Sequence, residues 1–316
     1  MAMLKQGRAV MLLKSDSRDQ EWVRAFFEVM PDLQVRVWPD IGDPSEINCA
    51  LLWGPPPGLF EGLDSLEVIF SIGAGVDSLL DCPGLPVTVP IIRMVEPELT
   101  AGMVEFCLFH VLRFHRLMHR YQHQQTERHW QDLPQVPARE TTVGIMGMGV
   151  LGTALVKQLH SLDYRVIGYR RQEGGDGTVE MFHGEAQFEA FMRQTTILVL
   201  LLPATAQTRH IINQDTLGLL PSGGYLINAG RGELVDEGDL LSALQSGWLQ
   251  GAALDVFETE PLPQESPLWN HPNVFLTPHV ASITHPASAC RYIADAIQDY
   301  RSGKTWPYQV RLNQGY

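Results

Sequence analysis

Residues 143–171 constrain the fold of this chain more strongly than any other segment. A short apolar run leads into a glycine pattern of the form G-x-G-x-x-G, a helical pattern follows, and residues 164–169 form a second apolar run. A strand, a glycine turn, a helix and a strand in this order predict a βαβ unit that binds a dinucleotide. A turn of the same kind that binds no ligand is the alternative. The pattern consists of Gly147, Met148, Gly149, Val150, Leu151 and Gly152.

The three glycines are predicted to have different roles in this unit. Gly147 permits a tight turn after the strand, Gly149 allows a pyrophosphate to approach the backbone, and Gly152 allows the helix to pack close to the strand. The N-terminus of the helix then presents unpaired N–H groups and the positive end of its dipole to the phosphates.

The end of the second predicted strand indicates which dinucleotide is bound. Arg170 occupies the position where an acidic residue usually accepts hydrogen bonds from the adenosine ribose; Arg171 follows it, and the next acid is Glu173. A guanidinium can bind a 2′-phosphate through paired hydrogen bonds, whereas a carboxylate would repel it. We therefore expect NADP(H) to be preferred, with NAD(H) as a second option. Two solvated arginines on a surface loop are the alternative explanation.

Composition and charge limit the partners of the chain. Its 316 residues, of which 45% are hydrophobic, suffice for two domains. The net charge of −13 argues against nucleic acids and anionic membranes as partners, and no apolar run is long enough to span a bilayer. The N-terminus shows no signal-peptide pattern and the four cysteines form no C-x-x-C pair, so we expect a reduced, cytoplasmic protein.

Strand and helix patterns alternate along the whole chain. This alternation predicts doubly wound parallel sheets. The first region, which is the part of the chain before the long helical pattern, is predicted to form a small α/β unit of its own. A helical pattern covers residues 99–123 and a final helix covers residues 286–301. A polar, glycine-rich stretch follows Arg171 and runs to Gly184.

Three histidines in the long helical pattern raise the question of a metal site. His115, His119 and His123 are spaced four residues apart, so one helix would place them on one face, where two of them could chelate a metal. Their neighbours include three arginines, and clustered cations disfavour a divalent ion. We therefore expect a solvated helix face and no metal.

Three ionisable residues directly follow predicted strands, where ligands of open α/β sheets are bound. Arg231 lies between two glycines and could clamp a carboxylate through two parallel hydrogen bonds. His279 is suited to exchange a proton near neutral pH, and Glu260 could orient its imidazole and favour the protonated form. A surface ion pair, a loop acid and a core histidine are the alternatives for the three residues taken singly.

Three segments around these residues resemble the signature segments of the D-isomer-specific 2-hydroxyacid dehydrogenases. They are residues 228–232 (NAGRG), 254–262 (LDVFETEPL) and 277–281 (TPHVA). The resemblance extends over essentially the whole chain, including the loop at residues 73–77 (GAGVD). Within the family it is closest to reductases of glyoxylate and hydroxypyruvate, a similarity that also involves residues 73–79, 266–269 and the terminal Gly315-Tyr316.

The resemblance implies a role for each of these residues. Arg231 would bind the carboxylate of a 2-oxo acid and polarise its carbonyl, His279 would donate the proton, and Glu260 would support His279. For the substrate it also implies contacts to Trp53 and to the backbone of Ala74 and Gly75. Asp255 would face the nicotinamide carboxamide. The full set of implied cofactor contacts is Gly147, Met148, Gly149, Val150, Leu151, Gly152, Arg170, Arg171, Leu202, Pro203, Ala229, Gly230, Arg231, Asp255, His279 and Ala281.

The resemblance also implies an architecture and a function. Residues 1–97 with 287–316 would form a substrate domain and residues 98–286 a dinucleotide-binding domain, two Rossmann-like units with a cleft between them. A homodimer built on the long helix is the family expectation. The implied reaction is NADPH-dependent reduction of small 2-oxo acids, glyoxylate to glycolate and hydroxypyruvate to glycerate.

Two other functions remain open at this point. A phosphoglycerate dehydrogenase without its regulatory domain would need several cations for the substrate phosphate, and the first region offers Arg93 but no cluster. A nucleotide-sensing binding protein, such as a corepressor on the same fold, could retain the three ionisable residues without turnover.

Overall fold

The computed structural model describes residues 4, 7, 9–16, 18–174 and 177–312. The chain divides into two compact units, one formed by Met1–Leu99 with Ile283–Tyr316 and the other by Thr100–Ser282. The domain boundaries expected from the sequence lie after residues 97 and 286. Gly315-Tyr316, which contributes to the family resemblance, lies outside the described residues.

The first unit is built on a five-stranded parallel sheet with the strand order β2-β1-β3-β4-β5. Three of its strands are buried almost throughout, because helices and loops cover both faces of the sheet. One face packs against Trp22 and Phe26 of α1 and Ile293 of α9, and the other against the loop residues Leu59 and Leu63. The elements are β1 (Val10–Lys14), α1 (Asp19–Val29), β2 (Gln34–Val37), β3 (Cys49–Leu52), β4 (Val68–Ser71), α2 (Asp77–Leu80), β5 (Ile91–Ile92) and, after the second unit, α9 (Pro286–Arg301).

The second unit is built on a seven-stranded parallel sheet with the order β12-β11-β10-β9-β6-β7-β8. The strand order reverses between β6 and β9, which is the switch point where ligands bind in doubly wound sheets. Its strands are β6 (Thr142–Met146), β7 (Arg165–Arg170), β8 (Glu180–His183), β9 (Ile197–Leu200), β10 (Gly224–Asn228), β11 (Leu249–Leu254) and β12 (Val274–Leu276). The helices are α3 (Pro97–His115, which begins in the first unit), α4 (Met118–Glu127), α5 (Val150–Ser161), α6 (Gly184–Gln194), α7 (Gln214–Leu217) and α8 (Glu237–Gln245). The predicted doubly wound parallel sheets are therefore confirmed.

The polar, glycine-rich stretch between Arg171 and Gly184 contains the edge strand β8, which the sequence did not predict. Only one face of an edge strand at the rim of a sheet needs apolar residues, and here Phe182 alone reaches the core. Glu180 forms an exposed ion pair with Arg165 on the neighbouring β7, at 3.0 Å. A strand with one buried apolar side chain gives little periodic signal.

The prediction of a single helix over residues 99–123 was wrong. Helix α3 ends at His115, Leu117 adopts a left-handed conformation with φ of 55°, and α4 begins at Met118. The three histidines therefore do not share one helix face.

Each of these histidines has its own surroundings. The imidazole of His115 contacts the Tyr164 hydroxyl at 2.5 Å, and His123 pairs with Glu127 at 3.2 Å on the exposed side of α4. His119 is buried between the rings of Phe114 and Tyr225, which contradicts the expected solvated face at this position. Burial and, secondarily, nearby arginine charge lower the pKa of His119 to about 4.

Among the described residues, no three His, Cys, Asp or Glu side chains come together in a way that could hold a metal ion. None of the helices in the same part is both long and apolar enough to cross a membrane.

Candidate active site

Close packing inside the second unit requires two of the three glycines that follow β6. Gly147 has φ of 109°, and a Cβ added there would lie 2.5 Å from the carbonyl oxygen of Leu201. A Cβ at Gly152, in the first turn of α5, would lie 2.3 Å from the carbonyl oxygen of Gly147. Real side chains do not approach this closely, so both positions require glycine for the helix to lie against the sheet.

Gly149 differs from these two glycines because no packing requires it. A Cβ at this position would meet no atom of the described residues within 4 Å, and φ of −92° is accessible to any residue. Helix α5 begins at the next residue and has no side-chain cap, so its first N–H groups point outward from the helix. Open space above unpaired N–H groups fits a pyrophosphate.

Arg170 ends β7 on the same edge of the sheet as this turn. Strands β6 and β7 pair in parallel with Met146 opposite Tyr169, which puts Arg170 level with Gly147. The Arg170 guanidinium lies beside the loop that follows, 3.1 Å from the position of a Cβ on Gly174. Arg171 is exposed next to it, so this corner presents two guanidinium groups, as a 2′-phosphate would need.

The loop that carries Arg231 is held by a buried side chain at the end of β10. The Asn228 amide nitrogen donates to the Arg231 carbonyl at 2.9 Å, and its amide oxygen accepts from the Gly230 N–H at 3.1 Å. The Arg231 guanidinium donates to the Gly230 carbonyl at 2.7 Å. No role for Asn228 was predicted from the sequence. The signal that could have indicated one is an asparagine at the end of a buried strand, where its polar groups need partners.

Glu260 and His279 form a hydrogen-bonded pair. The imidazole Nδ1 of His279 lies 2.8 Å from Oε2 of Glu260, and Oε1 of Glu260 accepts from the Phe257 N–H at 3.0 Å. Burial alone would raise the pKa of Glu260, but the hydrogen bonds from His279 and Phe257 and the charges of His279 and Arg231 together lower it. Glu260 is therefore a carboxylate at neutral pH.

Asp255 holds the backbone around His279. Its carboxylate accepts from the Thr277 hydroxyl at 2.6 Å, the Val280 N–H at 2.8 Å and the Ala281 N–H at 2.9 Å, while its carbonyl accepts from the His279 N–H at 2.8 Å. These bonds hold His279 in a left-handed conformation with φ of 55°, which is unusual for a residue with a side chain. The expected contact between Asp255 and a nicotinamide carboxamide stays a prediction.

The remaining predicted cofactor residues lie on the same loops of the second unit. Leu202 and Pro203 follow β9, and Leu202 packs against the Arg231 loop, where a Cβ on Gly230 would lie 2.8 Å from its carbonyl oxygen. Ala229 is buried directly after β10. Their contacts with a cofactor stay predictions.

The predicted substrate residues of the first unit lie at the carboxyl ends of β3 and β4. Trp53 follows β3, and its ring packs so closely on Gly73 that a Cβ there would lie 2.7 Å from the ring. The loop containing Ala74 and Gly75 follows β4 and is held by the Ser71 hydroxyl, which donates to the Gly75 carbonyl at 3.0 Å. These three residues therefore lie at one edge of the five-stranded sheet.

In the second unit, Arg231, Glu260 and His279 follow β10, β11 and β12, which are consecutive in the sheet. A fixed guanidinium thus lies on the strand end next to a carboxylate–imidazole pair. The guanidinium can bind an anionic group, and the imidazole can exchange a proton while the carboxylate stabilises its charged form. The sequence analysis predicted these three residues but not the loop contacts of His210 and Glu258 beside them.

Comparisons with known proteins bear on this arrangement. Residues 108–281, more than half of the chain, match the family model described as D-isomer specific 2-hydroxyacid dehydrogenase, NAD binding domain. Glyoxylate/hydroxypyruvate reductase A of Klebsiella pneumoniae (strain 342) is 41% identical over 300 residues, which cover 93% of this chain and 96% of the relative. The reductase of the same name from Salmonella paratyphi B is 40% identical over 300 residues, covering 93% and 96%.

Solved structures extend the similarity to three dimensions. A D-isomer specific 2-hydroxyacid dehydrogenase from Xanthobacter autotrophicus Py2, in complex with NADPH and MES, has a TM-score of 0.94 at 37% identity and covers 98% of this chain and 100% of that chain. An NADPH-dependent glyoxylate/hydroxypyruvate reductase from Sinorhizobium meliloti, in complex with NADP and sulfate, has a TM-score of 0.92 at 37% identity with the same coverage. Sequence and structure together show that this chain belongs to the D-isomer-specific 2-hydroxyacid dehydrogenase family.

Proposed function

We propose that the protein is an NADPH-dependent reductase of small 2-oxo acids, converting glyoxylate to glycolate and hydroxypyruvate to glycerate. The observation that carries the proposal is the His279–Glu260 pair at 2.8 Å, on the strand ends next to Arg231 in a dinucleotide-binding sheet. The names of the similar reductases, and the NADPH and NADP bound to the similar structures, support this choice of substrate and cofactor.

The residues of the second unit fit NADPH. The backbone around Gly149 and the N-terminus of α5 would hold the pyrophosphate, and Arg170 with Arg171 would bind the 2′-phosphate. When bound, NADPH supplies the hydride that adds to the carbonyl carbon of the 2-oxo acid.

The protein's own side chains then have three tasks in the reaction. Arg231 binds the substrate carboxylate and polarises the adjacent carbonyl group. The protonated His279 gives its proton to the carbonyl oxygen as negative charge develops there. Glu260 remains ionised and stabilises the imidazolium until that proton is transferred. We propose that Trp53 and the backbone of Ala74 and Gly75 also bind the substrate.

We further propose that the protein is a cytoplasmic homodimer. Large apolar side chains are exposed on α3, on α4 and on the segment after α4, and burying them against a second copy of the chain would remove them from water. Those most relevant are Phe109, Leu112, Met118, Trp130 and Val136. All four cysteines are buried free thiols, which fits a reducing compartment. Light scattering coupled to gel filtration would test the dimer, and a monomeric mass would refute it.

A turnover assay tests the proposed function. Oxidation of NADPH at 340 nm is followed with glyoxylate and with hydroxypyruvate, and each measurement is repeated with NADH. We expect turnover of both acids with a higher kcat/KM for NADPH. Tight NADPH binding without turnover would instead support a nucleotide-sensing binding protein, and a higher kcat/KM with NADH would contradict the role of Arg170.

A further inference from the structure

The loop between β9 and α7 carries none of the three residues assigned to the reaction. Its residue His210 nevertheless contacts both of the loops that carry Arg231 and Glu260. Strands β9, β10 and β11 are consecutive in the sheet, so the three loops lie side by side at its carboxyl edge.

The contacts of His210 join these three loops. Its backbone N–H donates to the Glu233 carbonyl at 2.7 Å, and its carbonyl accepts from the Asn213 side chain at 2.9 Å. The imidazole Nε2 contacts Oε1 of Glu258, and Nδ1 lies 3.7 Å from Oδ2 of Asp236. Because Glu233 and Asp236 follow β10 and Glu258 follows β11, one residue links all three loops.

The Arg231 and Glu260 loops also touch each other directly. A Cβ on Gly232, the neighbour of Arg231, would lie 1.9 Å from the carbonyl carbon of Phe257 and 2.5 Å from the nitrogen of Glu258. The same segment holds Glu260, whose carboxylate accepts from the Phe257 N–H at 3.0 Å. A displacement of Glu258 therefore moves both the backbone beside Arg231 and the carboxylate that contacts the imidazole of the pair.

Three carboxylates lie around His210, and their mutual repulsion makes its contact with Glu258 important for the position of the loops. The carboxylate of Glu237 accepts from the Glu258 N–H at 2.9 Å, so Asp236, Glu237 and Glu258 form an acidic group at the rim of the three loops. Burial, together with the charges of Glu258 and Asp236, raises the pKa of Glu237. Like charges so close would push the loops apart, and the N–H of the His210 imidazole offsets this repulsion by binding Glu258.

We infer that His210 is a positioning residue for the reaction. By binding Glu258 and the backbone of the Arg231 loop, it fixes the relative placement of Arg231 and Glu260, and through Glu260 the orientation of His279. This inference rests on the proposed function for its kinetic consequences, but not for its structural ones.

Two substitutions distinguish the contribution of the His210 imidazole from the contribution of its backbone conformation. His210 has φ of 48°, which asparagine tolerates well, so His210→Asn keeps the backbone but cannot reach Glu258. His210→Gln places an amide N–H near the position of Nε2. The matched control is His123→Asn, which removes the imidazole of another His–Glu pair, on α4. We expect His210→Asn to lower kcat for glyoxylate about tenfold, His210→Gln to recover most of this loss, and the control to have no effect.

A double-mutant cycle distinguishes positioning from a general loss of stability. If His210 acts through Glu260, its substitution should cost less once Glu260→Gln has already weakened the pair. We expect the added loss in kcat to fall from about tenfold to less than about threefold. The NADPH dissociation constant should change by less than about twofold throughout. A tenfold loss in both backgrounds would overturn the inference.

An NMR measurement without substrate tests the positioning role of His210 independently of the proposed function. In protein labelled with 15N-histidine, the Nδ1–H signal of His279 reports its hydrogen bond to Glu260. It should shift in His210→Asn and remain in place in His123→Asn. An unshifted signal or wild-type kcat in His210→Asn would refute the positioning role. If His210→Asn does not fold, Glu258→Gln is tested in the same way. An inactive wild-type enzyme would refute the proposed function, and the NMR result would still decide the inference.

Discussion

The two halves of the seven-stranded sheet differ in the residues that follow the carboxyl ends of their strands. After β6, three positions carry no side chain: Gly147, Gly149 and Gly152. At β11 and β12 the edge is filled with polar side chains that bind one another, such as Asp255 and Glu260 with the loop of His279. The half around β6 and β7, proposed to bind the cofactor and called the cofactor half, has room and unpaired N–H groups. The half around β11 and β12, proposed to carry the reaction and called the reacting half, holds charges in fixed positions.

This contrast predicts different kinds of sensitivity. The half around the glycine turn should respond to added atoms, because its function depends on open space. The half around His279 should respond to removed atoms, because each polar group there is fixed by its neighbours and is hard to replace. Substitutions in the two halves should therefore affect cofactor binding and turnover separately.

The largest effect is expected at His279. His279→Asn keeps a residue that tolerates the left-handed conformation with φ of 55° but removes the proposed proton donor. The kcat/KM for glyoxylate should fall at least about 100-fold, the scale of general acid catalysis. The NADPH dissociation constant, measured by fluorescence titration, should change far less than kcat/KM. Near-normal turnover would show that another group donates the proton, and the two halves would then no longer differ in the way described.

The next effect concerns Arg170 in the cofactor half. Arg170→Asp replaces a cation with an anion at the proposed site of the 2′-phosphate, so NADPH binding should weaken by about 1–3 kcal/mol. The kcat/KM with NADH should change far less, because NADH lacks this phosphate. Arg193→Asp gives the same charge change on the exposed side of α6, where the arginine pairs with Glu189 at 2.8 Å, and serves as the control. Equal losses with both cofactors would show that Arg170 supports the fold rather than the phosphate.

Sequence alone could predict the strands and the glycine turn of the cofactor half because their signals are local. The glycine turn, the strand before it and Arg170 lie within one continuous segment, and each has a physical reason that needs no distant partner. The strand ends that carry Arg231 and His279 could also be predicted, since short apolar runs precede them and a family resemblance supports them.

The support of the reacting half could not be predicted from sequence, because it depends on contacts between distant residues. Asp255 binds backbone N–H groups of residues 280 and 281, and His210 binds a carboxylate of residue 258. No periodicity marks such a residue, and its partner is set by which strands become neighbours in the sheet. The break between α3 and α4 was missed for a related reason, because burial of His119 against Tyr225 is a tertiary contact.

A matched pair of glycine substitutions sharpens the comparison within the cofactor half. Gly149→Ala adds a methyl group where no described residue lies within 4 Å, whereas Gly152→Ala forces one to 2.3 Å from the Gly147 carbonyl oxygen. The first should leave the thermal midpoint unchanged and weaken NADPH about tenfold, or about 1.4 kcal/mol. The second should lower the free energy of unfolding by about 1–3 kcal/mol. If Gly149→Ala bound NADPH normally, the open space above α5 would not be the pyrophosphate site.

The smallest effect concerns the charge of Glu260. Its pKa is lowered, so the side chain is ionised throughout the neutral range and favours the protonated imidazole of His279. In the proposed mechanism reduction needs a proton from His279, so activity should fall as the pH rises. Glu260→Gln keeps the shape but removes the charge, and the falling limb of kcat/KM against pH should move to lower pH.

The reverse reaction tests the sign of this effect. Oxidation of the hydroxy acid needs the neutral imidazole, so its activity should rise with pH, and in Glu260→Gln this rising limb should also move to lower pH. Glu127→Gln, which neutralises the partner of His123 on α4, is the matched control and should leave both limbs in place. If the limbs stay unchanged in Glu260→Gln while the rate falls, Glu260 orients the imidazole through its hydrogen bond alone. The charges of the reacting half would then act through geometry rather than through their electrostatic field.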